Sequence, residues 1–152
     1  MAKEGNKRLV VLDTHAILHR AYHALPDFSS GKGEPTGALY GLITMLVKII
    51  TALTPDDIAA AYDLPGGPFR HAAYDNYKAN RMKADEDLYT QINRARDVLE
   101  ALSIPIYEAN GCEADDVVGT MATQVKKKKG VDTIIAAGDM DTMQLVDGTQ
   151  TR

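Results

Sequence analysis

The sequence predicts an α/β domain, a three-layer sandwich with a mainly parallel central sheet and helices on both faces. Three observations predict it. Short apolar, strand-like runs alternate with longer segments of helical periodicity along the whole chain, which is the pattern of βα units in a parallel sheet. Four of the apolar runs hand over to carboxylates: LVVL to Asp13, IAAAY to Asp63, IPIY through a short loop to Glu113, Asp115 and Asp116, and TIIAAG to Asp139 and Asp141. Composition permits a real core: 152 residues, 45% hydrophobic and 25% charged, suit one domain over 1–152 with its core at about 8–147.

Residues 8–13 read as a buried strand and His15 to Ala24 as a helix. Ala38 to Leu53 is a stronger helix, with Leu39, Leu42, Ile43, Leu46, Ile50 and Leu53 at helical spacing. Thr54-Pro55 stops it, and Ile58 to Tyr62 forms the next strand. Leu64 to Pro68 is a loop signal, followed by a polar, basic stretch from Phe69 to Asp87. Leu88, Ile92, Ala95, Leu99 and Leu102 mark an amphipathic helix, and Ile104 to Tyr107 a short strand. Ala114, Val117, Val118, Met121, Ala122 and Val125 mark a helix running into Lys126 to Lys129. After Gly130 come a strand from Asp132 to Ala137 and a helix from Thr142.

No run approaches the roughly 18–20 apolar residues of a membrane span, and the start MAKEGNKR lacks a signal-peptide segment, so a cytosolic, non-membrane protein is expected. Cys112, the single cysteine, has no disulfide or CxxC partner and reads as a buried or loop residue in a reducing compartment. The net charge of −4 argues at first against a nucleic-acid partner. Setting aside the seven clustered acids leaves a positive remainder, so the distribution of charge matters more than its total.

In an open parallel sheet the carboxyl ends of the strands share one edge, where ligands bind. Asp13, Asp63, Glu113, Asp115, Asp116, Asp139 and Asp141 therefore converge on one spot, and that spot should bind divalent metal. Each acid also has a local reading. Asp13 and Asp63 stand where helix caps stand, Glu113 has capping-box spacing after Asn110, and Asp115 and Asp116 suit the helix dipole. Capping does not account for the surplus. Three acids within four positions repel one another by roughly 1 kcal/mol per pair at contact in water, and by more in a cleft. Hard oxygen ligands select Mg²⁺ or Mn²⁺, and a cluster of this size suits two-metal phosphoryl chemistry. Arg70, Lys78, Arg81 and Lys83, interleaved with Phe69, Tyr74 and Tyr77, combine cations for phosphates with rings for bases. A solvated helix with scattered aromatics reads equally well there. Lys126 to Lys129 reads as surface charge complementing a helix dipole, and His15, His19 and His23 as packing or surface residues of one helix.

LDTHAILHRAYHALP, GEPTGALYG, YDLPGGPFRHAAYDNYKANR, EADDVVGT and GDMDTMQLV, in this order and spacing, resemble the 5′-nuclease (5′→3′ exonuclease and flap endonuclease) family, in the branch of N-terminal nuclease domains of bacterial DNA polymerase I. The resemblance runs from about Leu9 to Val146. It implies a PIN-like, resolvase-like fold and a structure-selective nuclease that uses two divalent metals on DNA with a 5′ flap or single-stranded 5′ end. It also implies work in replication and repair in the bacterial cytosol and nucleoid, with a polymerase domain in the full-length protein.

Carried over by position, Asp13, Asp63, Glu113 and Asp115 match the acids around the first metal, and Asp116, Asp139 and Asp141 those toward the second. Lys78 matches the basic residue that polarises the scissile phosphate, Arg81 the neighbouring phosphate contact, and Arg20 a substrate-facing arginine. Residues 69–87 would include the arch or clamp, with Arg70, Tyr77 and Lys83 on the DNA. Met140 replaces the usual Lys between the two aspartates, Thr14 a usual Gly or Ser, and residues 82–84 lack the prolines of the polymerase-type arch. In the family a helix-hairpin-helix region and a further GDxxDN-type acid follow. The sequence stops at Arg152, so the resemblance implies an intact first metal site, a weaker second and poor duplex affinity.

Three other readings remain open. A phosphoacceptor receiver also sets acids at strand ends, but EADD and GDMD would be superfluous in it. A truncated nuclease fold could bind nucleic acid or protein without cleaving, and a related metal-dependent RNase is nearer still, since nothing reads the sugar 2′-OH.

Overall fold

The computed structural model describes residues 6–64 and 85–152. Four parallel strands, β1 (Lys7–Asp13), β2 (Asp57–Ala61), β3 (Ile106–Tyr107) and β4 (Val131–Ala136), form one sheet in the order β3-β2-β1-β4. The helices are α1 (Thr14–Ala24), α2 (Gly37–Leu53), α3 (Glu86–Ala101) and α4 (Ala114–Lys126), and a 3₁₀ turn covers Met140–Leu145.

Successive strand residues point to opposite faces, and this alternation sorts the core into two halves. Val10, Leu12, Ala60 and Tyr62 face α1, α2 and α3, against Leu18, Leu42, Leu46, Ile92 and Leu99. Val11 and Ala61 face α4, against Ala114, Val117 and Val118. The three-layer reading holds. Chain order reverses across β1: β2 and β3 lie on one side of it and β4 on the other. Such a reversal opens a crevice at the carboxyl ends of the strands.

Five element readings need correction. The helix expected from Thr142 is a short 3₁₀ turn beginning at Met140, capped by Asp139, whose Oδ1 accepts from the Asp141 amide (3.0 Å). The strand expected over Ile104–Tyr107 pairs only at Ile106 and Tyr107, since it follows Pro105, which has no amide to donate. In α2, Ile43 and Ile50 are exposed and Ile49 is buried. That helix is apolar on nearly every side, so its periodicity left the inward face undecided. Leu102 is likewise exposed, one residue beyond the end of α3. Residues 86–87, placed in the basic stretch, form the first turn of α3.

Gln91 locks two helices together. Buried on α3, it accepts a hydrogen bond from the Ala38 amide (2.7 Å), an otherwise unsatisfied donor at the start of α2. At the far edge, Thr151 bridges to Thr133 of β4, and the Gln150 side chain donates to the carbonyls of Val125, Lys128 and Val131.

Candidate functional site

Strand register assembles the site. Asp13 is the last residue of β1 and pairs with Ala61 of β2. Asp63 lies two positions beyond Ala61, so alternation places it on the same face as Asp13. That is the α4 face, and α4 begins directly after Glu113 with Asp115 and Asp116 in its first turn. Asp139 follows β4, the other neighbour of β1.

Asp13, Asp63, Glu113, Asp116 and Asp139 are also held by backbone amides. Asp13 Oδ1 accepts from the Ala16 amide (3.0 Å) and caps α1. Glu113 and Asp116 exchange the reciprocal bonds of a capping box, with the Glu113 amide 3.0 Å from Asp116 Oδ2. Asp63 has a distant partner: its Oδ1 accepts from the Ala114 amide at 2.5 Å, tying the end of β2 to the start of α4. The backbone amide of Asp63 in turn donates to His15 Nδ1 (3.3 Å), and the His15 ring sits edge-on to Tyr62 at 5.0 Å. Capping and convergence are both true of these side chains.

Electrostatics shows how close the acids lie. Asp13, 6% exposed, has its carboxyl pushed up from 3.8 to about 6, first by burial and then by the negative charges of Asp63, Asp115 and Asp139, against the lowering effect of the Ala16 amide. Burial lowers the His15 imidazole, against the opposing pull of Asp63. Oxygens of Glu113, Asp115 and Asp116 lie within 4.8 Å of one another, a spacing at which one cation can bridge them. Asp115, Asp116 and Asp141 border a common open groove between α4 and the 3₁₀ turn, continued by Thr120, Thr123 and Gln144. The structure thus brings Asp63, Asp115 and Asp139 within electrostatic reach of Asp13, Glu113 and Asp116 together through the capping box, and Asp141 beside Asp115 and Asp116 along the groove.

Arg20 is exposed on α1. Arg70, Tyr77, Lys78, Arg81 and Lys83, with the arch at residues 69–84, lie outside the described residues. Lys126 pairs with Asp147 (2.9 Å) at the end of α4, and Lys127 to Lys129 are exposed, as expected of surface charge. His19 and His23 form a surface ring pair, and Cys112 is a half-buried loop residue. Sequence reasoning did not single out His15 as the support of the Asp63 backbone. Its position two residues after Asp13 was the available signal.

Residues 8–152 match the family model of the 5′-3′ exonuclease N-terminal resolvase-like domain. DNA polymerase I of Chloroflexus aurantiacus is 45% identical over 141 residues, covering 91% of this chain and 15% of that protein. DNA polymerase I of Caldicellulosiruptor bescii is 41% identical over 140 residues, covering 92% and 16%. The chain therefore spans less than a fifth of the length of these relatives. Bacteriophage T5 5′-exonuclease with bound divalent metal ions (zinc) has a TM-score of 0.74 at 15% identity, covering 95% of this chain and 54% of that one. The bacteriophage T5 flap endonuclease in complex with DNA and metal ions has a TM-score of 0.72 at 14% identity, covering 95% and 53%. At those identities the structural likeness establishes the fold alone. With the family model matched almost from end to end and polymerase relatives above 40% identity, the chain belongs to the 5′-3′ exonuclease family, as an N-terminal resolvase-like nuclease domain.

Proposed function

We propose that this chain hydrolyses phosphodiesters of DNA at a 5′ flap or single-stranded 5′ end, as a divalent-metal-dependent 5′→3′ exonuclease and flap endonuclease. The observation that carries the reading is the convergence of Asp13, Asp63, Asp115 and Asp139, acids from four separate chain segments: burial first, and then the negative charges of the other three, push the Asp13 carboxyl up to about 6. Burying a carboxylate among others costs stability beyond what a helix cap requires, and a cation would offset that cost. Asp13, Asp63, Glu113 and Asp115 would hold a first ion and Asp116, Asp139 and Asp141 a second. The donor set is all carboxylate, which fits Mg²⁺ or Mn²⁺. Bound there, such ions supply Lewis-acid activation of water and neutralise charge on the phosphate.

The chain's own residues do the remaining work. Backbone amides hold the Asp13 and Asp63 carboxylates in place before substrate arrives, so little reorganisation accompanies reaction. His15 fixes the Asp63 backbone. Lys78 and Arg81 offset charge developing on the scissile phosphate, and Arg20, Arg70, Tyr77 and Lys83 hold the strand. The likeness to polymerase I relatives supports a role in replication and repair beside a polymerase domain, in the bacterial cytosol at the nucleoid.

The test is cleavage of an end-labelled 5′-flap DNA and its RNA counterpart with Mg²⁺, with Mn²⁺ and with EDTA. Metal-dependent DNA cleavage, lost in Asp13→Ala and in Asp63→Ala, is the expected result. Full cleavage by both variants would refute the assignment, and preference for the RNA flap would move the substrate class to RNA.

A further inference from the structure

Beside the acidic crevice, α1 and α2 line a cavity of about 320 Å³; its rim carries Arg20, placed on the bound strand above, and the rest of it has no role in that reading. Its geometry begins at a glycine. Gly41 of α2 sits so close to α1 that a Cβ there would lie 2.4 Å from the Ala21 Cβ. The space beside this tight crossing is floored by Ile17, Ala24, Leu25 and Met45. Its third wall is Ala137 and Gly138, directly before Asp139. Gly138 in turn presses on the first turn of α1, where an added Cβ would meet the Ala16 carbonyl at 3.1 Å.

The rim differs in kind from the floor. Arg20 stands on one side and Lys48 on the other, with the exposed Tyr40 ring beside them. Lys48 is the one charged residue in the whole of α2, and among the described residues no acid forms a salt bridge with it or with Arg20. Along α1, Arg20 lies about 10 Å from Asp13 at 1.5 Å per residue, a span of about three stacked nucleotides at 3.4 Å each. An apolar floor with a polarisable thioether accepts the flat face of a base. Two unpaired cations at the mouth accept a phosphate. The volume falls at the lower end of small-ligand sites, about 300–1,000 Å³.

We infer that this cavity is a subsite for a single nucleotide of the bound strand, its base on the Ile17–Met45 floor and its phosphate between Arg20 and Lys48. The site takes a deoxynucleoside monophosphate unit and sets the register of the strand relative to the acids. Its ligand class rests on the DNA-cleaving reading; its test does not.

The full chain is titrated with dAMP in EDTA, which excludes phosphate binding through metal, and followed by ¹H–¹⁵N NMR. Saturable shifts at Gly41, Thr44, Lys48 and Gly138 are expected, with deoxyadenosine and inorganic phosphate each binding more weakly. The exposed-site variant Lys48→Glu should raise the apparent Kd about tenfold, the worth of one charge-assisted contact. Absence of shifts at those amides, an unchanged Kd in the variant, or equal binding of inorganic phosphate would each overturn the assignment. Flap cleavage is scored separately. A chain that binds dAMP here and cleaves nothing sinks the nuclease reading alone, and one that cleaves without these shifts sinks the subsite alone.

Discussion

Replacing Asp13 by Asn should make the metal-free protein more stable at neutral pH, although it should destroy the catalytic centre. The Asp13 carboxyl is raised from 3.8 to about 6, a change of about 2 pH units, or about 3 kcal/mol between the two protonation states. The sign follows from proton counting. Between pH 4 and 6 the folded protein holds the Asp13 proton more tightly than the unfolded chain does, so stability falls as pH rises through that window and stays lower above it. Asn keeps the cap, because its amide oxygen accepts from Ala16 as the carboxylate does, and it carries no charge against Asp63, Asp115 and Asp139. Urea denaturation in EDTA at pH 4.5 and pH 7.5 measures the effect. Asp13→Asn should gain up to about 3 kcal/mol on the wild type at pH 7.5 and much less at pH 4.5. Added Mn²⁺ should reverse the order, since only the wild type gains the full binding free energy of the ion. A variant less stable than the wild type at pH 7.5 without metal would refute the claim that burial and the neighbouring acids together strain the ionised Asp13 carboxylate.

Gly41→Ala should destabilise by about 1–3 kcal/mol in thermal melts, because its Cβ would meet the Ala21 Cβ at 2.4 Å and neither group can rotate away; the helix-propensity gain of up to about 1 kcal/mol is the smaller effect. Gln91→Leu should cost about 1–3 kcal/mol by the same measurement, since the Ala38 amide would be left buried without an acceptor. Gly138→Ala should lower flap cleavage more than stability, as the new Cβ would push the Asp139 segment off the Ala16 carbonyl; unchanged kcat would count against Asp139 as a site residue. Asp147→Ala should speed amide exchange at Thr133 and Ile135, because Asp147 holds the loop that pairs Thr151 and Arg152 with β4. Bonding to the Thr151 amide and to Lys126 keeps that carboxyl far below the usual range, so its contribution is present at neutral pH and is lost only in strong acid.

The sheet and the acids at its edge were legible in the sequence because each strand is a short apolar run and the acids come after these runs, Glu113, Asp115 and Asp116 across a short loop. Parallel strands share a direction, so chain position alone brings such residues to one edge. Other features depend on contacts that no local pattern encodes. The inward face of α2 was ambiguous because Ile43, Val47 and Ile50 are as apolar as Leu42, Leu46 and Ile49. The bond from Ala114 to Asp63 joins residues 51 positions apart, and no spacing rule marks Gln91 as the residue that satisfies the start of α2. The 3₁₀ turn at Met140–Leu145 carries the same residues, and the same kind of Asp cap, that would start an α-helix, so local pattern does not separate the two.

The tie between Asp63 and Ala114 gives the acidic centre a mechanical side. The amide that opens α4 is seated on a carboxylate rooted in β2, so a cation drawn to Asp63 must share that oxygen or take its neighbour. Ion capture at Asp63 and the docking of the fourth helix would therefore be two readings of one equilibrium. Whatever loosens the helix would weaken the grip on an ion held there, and such an ion would act as a rivet between the sheet and α4.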